Sequence, residues 1–162
     1  MLTPEERAEL IELYGRGVDM LRAALTEFPQ EMWQFKPDPT SWSIHEILVH
    51  MADSESNSMS RFRAAIAQPG VTIFAYDQDV WAQKLDYHEQ SWQDAVELLH
   101  WIHKLTYDLI VKLPDAVWAQ TIHHPESGII TLDDVLVIYA KHIPDHIQQM
   151  RDNFAVWKVS KH

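Results

Sequence analysis

Cysteine is missing from all 162 residues. This excludes disulfides, thiolate metal ligands and a cysteine nucleophile together. Any thiol chemistry must use a thiol brought in from outside. Basic residues are few, with 13 Lys and Arg against 24 Asp and Glu and a net charge of -11. That balance opposes the phosphate backbone, so nucleic acid is not an expected partner. No apolar run approaches the length of a membrane span, so no membrane partner is expected. The opening MLTPEERAEL has neither a basic n-region nor an apolar h-region, which points to a cytoplasmic protein without a signal peptide.

What is present suits an ordinary soluble protein, 46% hydrophobic and 23% charged. The length matches one domain, residues 1–162, able to bury about two-thirds of its unfolded surface. Apolar residues recur at helical spacing in four long stretches. The first opens at Thr3-Pro4-Glu5-Glu6, with Thr as N-cap and Pro at the first helical position. Its stripe is Leu10, Leu13, Tyr14, Gly17, Leu21, Leu25 and Phe28, and it ends before Pro29. Ser43-Ile44-His45-Glu46 is a capping box for a second helix to Ala67. A third, capped by Ser91, carries Ala95, Leu98, Leu99, Ile102, Leu105 and Leu109 toward Pro114. A fourth begins after Thr131.

Between the second and third helices, Val71 to Gln90 is long for a bundle connection. Its Tyr76, Trp81 and Tyr87 predict an ordered loop with a short helix near Asp77 to Gln83. The segment Trp118 to Thr131 holds a turn at Pro125-Glu126-Ser127-Gly128, consistent with a small hairpin or an irregular loop. An internal echo links Phe28-Pro-x-x-Met-Trp33 followed by Ser43-x-x-Glu46 with Leu113-Pro-x-x-Val-Trp118 followed by Thr131-x-x-Asp134. Two helix-loop-helix halves of this kind build an all-α four-helix bundle, here expected as up-down-down-up, whose core can host a metal site from facing helices.

The candidate ligands lie in YAKHIPDHIQQM, where His142 and His146 stand one turn apart on one helix face. The best third donor is His50, at the edge of the second helix's apolar face and in line with Glu46, Ser54, Asn57 and Arg61. Three imidazoles with other positions left open describe a catalytic metal, since structural zinc sites are closed by four protein ligands. Among 10 histidines, however, such spacing also arises where each is simply a hydrogen-bonded core or surface residue. His100 and His103, at i and i+3, lack a third partner and are read as surface or interface residues. Pro144 sits between the two histidines and predicts a kink or bulge, because it removes a hydrogen bond and meets the carbonyl of Ala140.

Several motifs in order then resemble the DinB superfamily of metal-binding four-helix bundles. Within it they resemble the YfiT-like metal-dependent hydrolases related to bacillithiol S-transferases. They are Trp42-Ser43-Ile44, His50-Met-Ala-Asp53-Ser, Arg61-Phe62, Tyr76-Asp77-x-Asp79-x-Trp81-Ala82, His124-Pro125-Glu126, Thr131-Leu-Asp133 and Tyr139-Ala-x-His142-x-x-x-His146. The resemblance spans nearly the whole chain. It implies one divalent ion, nickel or zinc, on His50, His142 and His146, and a homodimer.

Three functions are then in view. One is a transferase joining a small bacillithiol-like thiol to an electrophile, with the ion stabilising the thiolate. A second is a hydrolase, with the ion acidifying water. Asp53 or Glu55 would be its nearest base, although Asp53 fits a supporting or surface role better. The third is a non-catalytic, dimeric metal-binding module.

Overall fold

Thr3, Ser43 and Thr131 each cap a helix in the same reciprocal way. The side chain accepts from the third residue's backbone N–H, and that residue's carboxylate accepts from the cap's N–H. In the computed structural model, which describes residues 1–161, these caps open α1 (Pro4–Leu25), α2 (Ile44–Ala67) and α5 (Leu132–Ser160). Asp77 and Ser91 cap α3 (Gln78–Lys84) and α4 (Trp92–Ile110). Short 3-10 turns follow Pro29 and Pro114, at matching places in the two halves of the echo.

Contacts at the helix ends fix the directions. Arg7, near the start of α1, is forked onto Asp133 at the start of α5, with Nε–Oδ1 2.8 Å and Nη2–Oδ2 3.2 Å. It also reaches Asp115, just beyond the end of α4. Arg151, late in α5, pairs with Glu27 just past α1. His45, early in α2, meets the Gln90 carbonyl just before α4. Hence α1 and α5 run one way and α2 and α4 the other, the expected up-down-down-up order. α2 packs on α4 and α5, and α1 packs on the same two helices. Helices consecutive in each half therefore lie across the diagonals of the bundle.

The segment after α4 forms a hairpin, β1 (Thr121–His124) paired antiparallel with β2 (Gly128–Thr131). Gly128 supplies the positive φ its turn needs. The connection after α2 lies alongside β1 as a parallel bridge, the His123 N–H donating to Val71 and the Ile73 N–H to His123. Two apolar clusters fill the bundle, one around Leu21, Met32, Ile47, Met51 and Leu99, the other around Phe62, Trp118, Leu132 and Leu136. Each such fully buried side chain contributes about 1.5–3 kcal/mol. Gly17 lets α1 come close to α5 and α4, since a Cβ there would sit 2.9 Å from the Ile143 Cδ1.

Some expectations need correction. α1 ends at Leu25 and α4 at Ile110, each several residues short of its following proline. α4 is also turned: Ala95, Val96, Leu99, His103, Thr106 and Ile110 face inward, while Leu98 and Leu105 are exposed. His103 is thus no surface residue. It is buried and stacked on Tyr14 at 4.0 Å between ring centroids. Around Pro144, α5 is α-helical throughout, with no π-bulge. Among the described residues no helix is long and apolar enough to cross a membrane.

Candidate metal centre

Because α2 and α5 are antiparallel neighbours, the start of one faces the middle of the other, and His50 meets the His142–His146 pair. The Nε2 atoms of His50 and His142 are 3.3 Å apart, and those of His142 and His146 are 3.1 Å apart. One ligand nitrogen from each ring lies within 4.8 Å of the other two. Imidazole nitrogens bound to one ion at about 2.0–2.1 Å, with angles between right and tetrahedral, stand about 3–3.4 Å apart. The observed spacing suits such an ion.

Burial, and secondarily the His146 ring, holds His50 down to about 3. Burial lowers His142 and His146 as well, with the neighbouring rings adding to the effect on His142. Three neutral rings therefore turn nitrogens toward one another. The Nε2 of His142 faces His50, His146 and the Ser54 hydroxyl, at 3.3 Å from the last. A single proton there can serve only one of those contacts, whereas a cation would satisfy all three lone pairs. On the far side, Nδ1 of His146 is 2.8 Å from Gln149 Oε1, which fixes that ring's tautomer. Nδ1 of His50 and of His142 are buried without a partner. Trp42 packs over the His50 and His146 rings at 4.5 and 6.4 Å and limits their rotation.

The two acidic candidates are occupied elsewhere. Asp53 accepts from the Tyr87 hydroxyl. Glu55 accepts from the Tyr14 hydroxyl and lies 3.4 Å from Nδ1 of His103. Neither carboxylate belongs to the imidazole cluster.

From His142 a cavity of about 480 Å³ opens along α2 and α5. Its lining includes Ser54, Arg61, Tyr76, His124 and Tyr139. Of the polar row read beside His50, Ser54 and Arg61 therefore reach the cavity, and Asn57 folds back onto the Asp53 carbonyl. Tyr76 and His124 come from the loop and the hairpin. No periodicity points to them, because their placement depends on the bridge between Thr72 and His123.

Comparison with known proteins agrees with this architecture. The chain is 31% identical over 106 residues to a proposed metal-dependent hydrolase of Oceanobacillus iheyensis, covering 65% of this chain and 61% of that one. It is 28% identical over 112 residues to YfiT of Bacillus subtilis, likewise named for metal-dependent hydrolysis, covering 68% and 63%. The chain thus spans somewhat under two-thirds of the length of these relatives. The solved structure of YfiT, described as a probable metal-dependent hydrolase with an unusual four-helix bundle topology, superposes with a TM-score of 0.86 at 23% identity. That match covers 94% of this chain and 88% of YfiT and shows the shared fold. Residues 13–150, which include all three imidazoles, match the family model of the DinB superfamily, and the chain belongs to that superfamily.

Proposed function

We propose that the protein is a metal-dependent transferase that joins a low-molecular-weight thiol to an electrophile, with His50, His142 and His146 holding one divalent ion, nickel or zinc. The observation that carries this reading is the cluster of three neutral imidazoles at one end of a small-molecule-sized cavity, with Asp53 and Glu55 turned away from it. When bound, the ion would supply a positive charge that favours the thiolate form of a thiol.

The chain's own residues do the rest. Trp42 and Gln149 hold the rings, Ser54 places a hydroxyl beside His142, and Tyr139 forms a wall next to it. The thiolate sulfur attacks the electrophilic carbon, a C–S bond forms, and the leaving group departs with its bonding pair. The thiol proton passes to solvent. A thiolate needs no general base at the moment of attack, which fits the commitment of the two nearby acids to tyrosines.

A second reading, hydrolysis, is favoured by the names of the relatives. It would need a base to activate water, and of the two acids in the cavity lining Asp77 caps α3, leaving the exposed Glu126. Incubation of the loaded protein with chlorodinitrobenzene, with and without a small thiol, distinguishes the two.

We further propose a homodimer through the outward face of α4, where Leu98, Trp101 and Leu105 lie exposed at helical spacing.

The first test is elemental analysis of tag-free protein against His142→Ala. Near one divalent ion per chain in the wild type and at least tenfold less in the variant is expected, given what loss of a ligand does to affinity. Wild type that binds neither zinc nor nickel would overturn both catalytic readings.

A further inference from the structure

The end of the cavity away from the imidazoles is built of hydrogen-bond donors that face one another. Nδ1 of His124 accepts from the backbone N–H groups of Glu126 and Ser127, at 3.2 and 3.3 Å. In the neutral ring the proton is therefore on Nε2. Burial, and next the Arg61 charge, lowers the pKa of His124 and keeps it neutral. That Nε2–H stands 3.5 Å from Nη2 of Arg61, donor against donor, with no acceptor between them.

Arg61 donates through Nη1 to the Tyr139 hydroxyl at 3.0 Å, and its Nε is buried without a partner. Among the described residues it forms no ion pair, although the other arginines that point toward acids do so. Tyr139, having accepted from Arg61, keeps its own O–H to give. A guanidinium, an imidazole N–H and a phenol thus converge, and beyond the one bond from Arg61 to Tyr139 no carboxylate or carbonyl among the described residues accepts from them.

We infer that this end of the cavity binds a carboxylate of the small-molecule substrate, with Arg61 and His124 each donating to it. The inference rests on the reading above, in which the substrate occupies this cavity. The unpartnered donors of Arg61 point to an acceptor, and the charge balance of the lining disfavours a dianion. One guanidinium shares the lining with two acids, Asp77 and Glu126. A singly charged, planar carboxylate suits that balance and the arginine fork better than a doubly charged phosphate. Distance adds a second condition. Ser54, beside His142, and Arg61 are two turns apart on α2, about 10 Å along the axis. A substrate anchored at Arg61 and reacting at the imidazoles needs a spacer of a few carbon atoms between its carboxylate and its reacting atom.

Isothermal titration of the zinc-loaded protein with mercaptobutyrate and with its carboxamide tests the inference, using wild type, Arg61→Met and Arg61→Lys. Metal content and circular dichroism are measured for each protein. The carboxylate is expected to bind the wild type about tenfold or more tightly than the amide. Arg61→Met should bring the two ligands level while leaving amide affinity and metal content unchanged. Arg61→Lys should retain part of the preference, keeping the charge but losing the fork.

Equal binding of the two ligands by wild type, or a preference that survives in Arg61→Met, would overturn the carboxylate site, and the wild-type comparison decides the matter even if a variant does not fold. Butyrate, which lacks sulfur, separates the two proposals. If it binds wild type as tightly as mercaptobutyrate and is lost in Arg61→Met, the thiol reading falls and the carboxylate site stands.

Discussion

His142 is the residue on which the site depends, because its Nε2 is near both other imidazoles and the Ser54 hydroxyl. Holding a buried His50 and half-buried His142 and His146 neutral has an energetic consequence in metal-free protein. His50 titrates at about 3 in the folded chain against 6.5 when unfolded. Below pH 6.5 the unfolded chain takes up a proton that the folded chain refuses, so stability falls as pH drops from 6.5 toward 3. For His50 alone the loss between pH 7 and pH 5 is about 2 kcal/mol, and the lowered His142 and His146 add in the same direction. Urea unfolding of chelator-stripped protein at the two pH values should show this loss, and His50→Leu should flatten it; identical pH dependence in the variant would refute the account. The three histidines were legible from the sequence because helical spacing and an open row beside an apolar stripe are local properties. Glu55 and His103 were not. Their meaning lies in a buried contact with Tyr14 across three helices, and neither neighbour in sequence announces it.

At the scale of elements, the caps carry the positions of the ligands. Ser43 is fully buried, accepts from the Glu46 N–H, and is followed two turns later by His50. Removing its hydroxyl leaves a buried donor unsatisfied at the start of α2. Ser43→Ala should cost about 1–2 kcal/mol, and Thr3→Ala, at an exposed cap, toward the lower end of the same range. Thermal melts of the two variants give the comparison, and an equal or smaller loss for Ser43→Ala would count against the role of burial. Capping boxes and N-caps are short-range patterns, so all four bundle helices were readable at their starts. Their ends were less so, since α1 and α4 stop in turns several residues before Pro29 and Pro114. The inward face of α4 was misread for a related reason. Leu98 and Leu105 are more apolar than His103 and Thr106, but His103 stacks on the Tyr14 ring and bonds its carbonyl inside the bundle, and the helix turns to bury that side. Pro144, where a kink or bulge is expected, lies inside α5 with helix on both sides, and the proline ring leaves the Ala140 carbonyl without its usual donor.

At the scale of the whole molecule, that turn of α4 leaves Leu98, Trp101 and Leu105 facing outward, with Trp101 57% exposed. A charge placed there should separate the proposed protomers. Trp101→Glu is expected to weaken association by at least tenfold, read by light scattering across a dilution series, with metal content unchanged. A wild type that is monomeric at high concentration would remove the dimer proposal. The helix directions were accessible from the echo between the halves. Of the ring order only the pairing of the second and last bundle helices was, through their histidines; which of the others are neighbours depends on long-range packing that no local pattern encodes. That order also has a bearing on how the protein is made. The metal candidates sit on α2 and α5, and His50 is 92 residues from His142. A chain emerging from the ribosome exposes α2 long before α5 exists, so the three-imidazole cluster can form only after almost the whole chain has been synthesised and has folded. Loading with the proposed ion would then be a post-translational event. Until α5 has folded against α2, His50 is a lone imidazole, with no other ligand to help it capture metal prematurely.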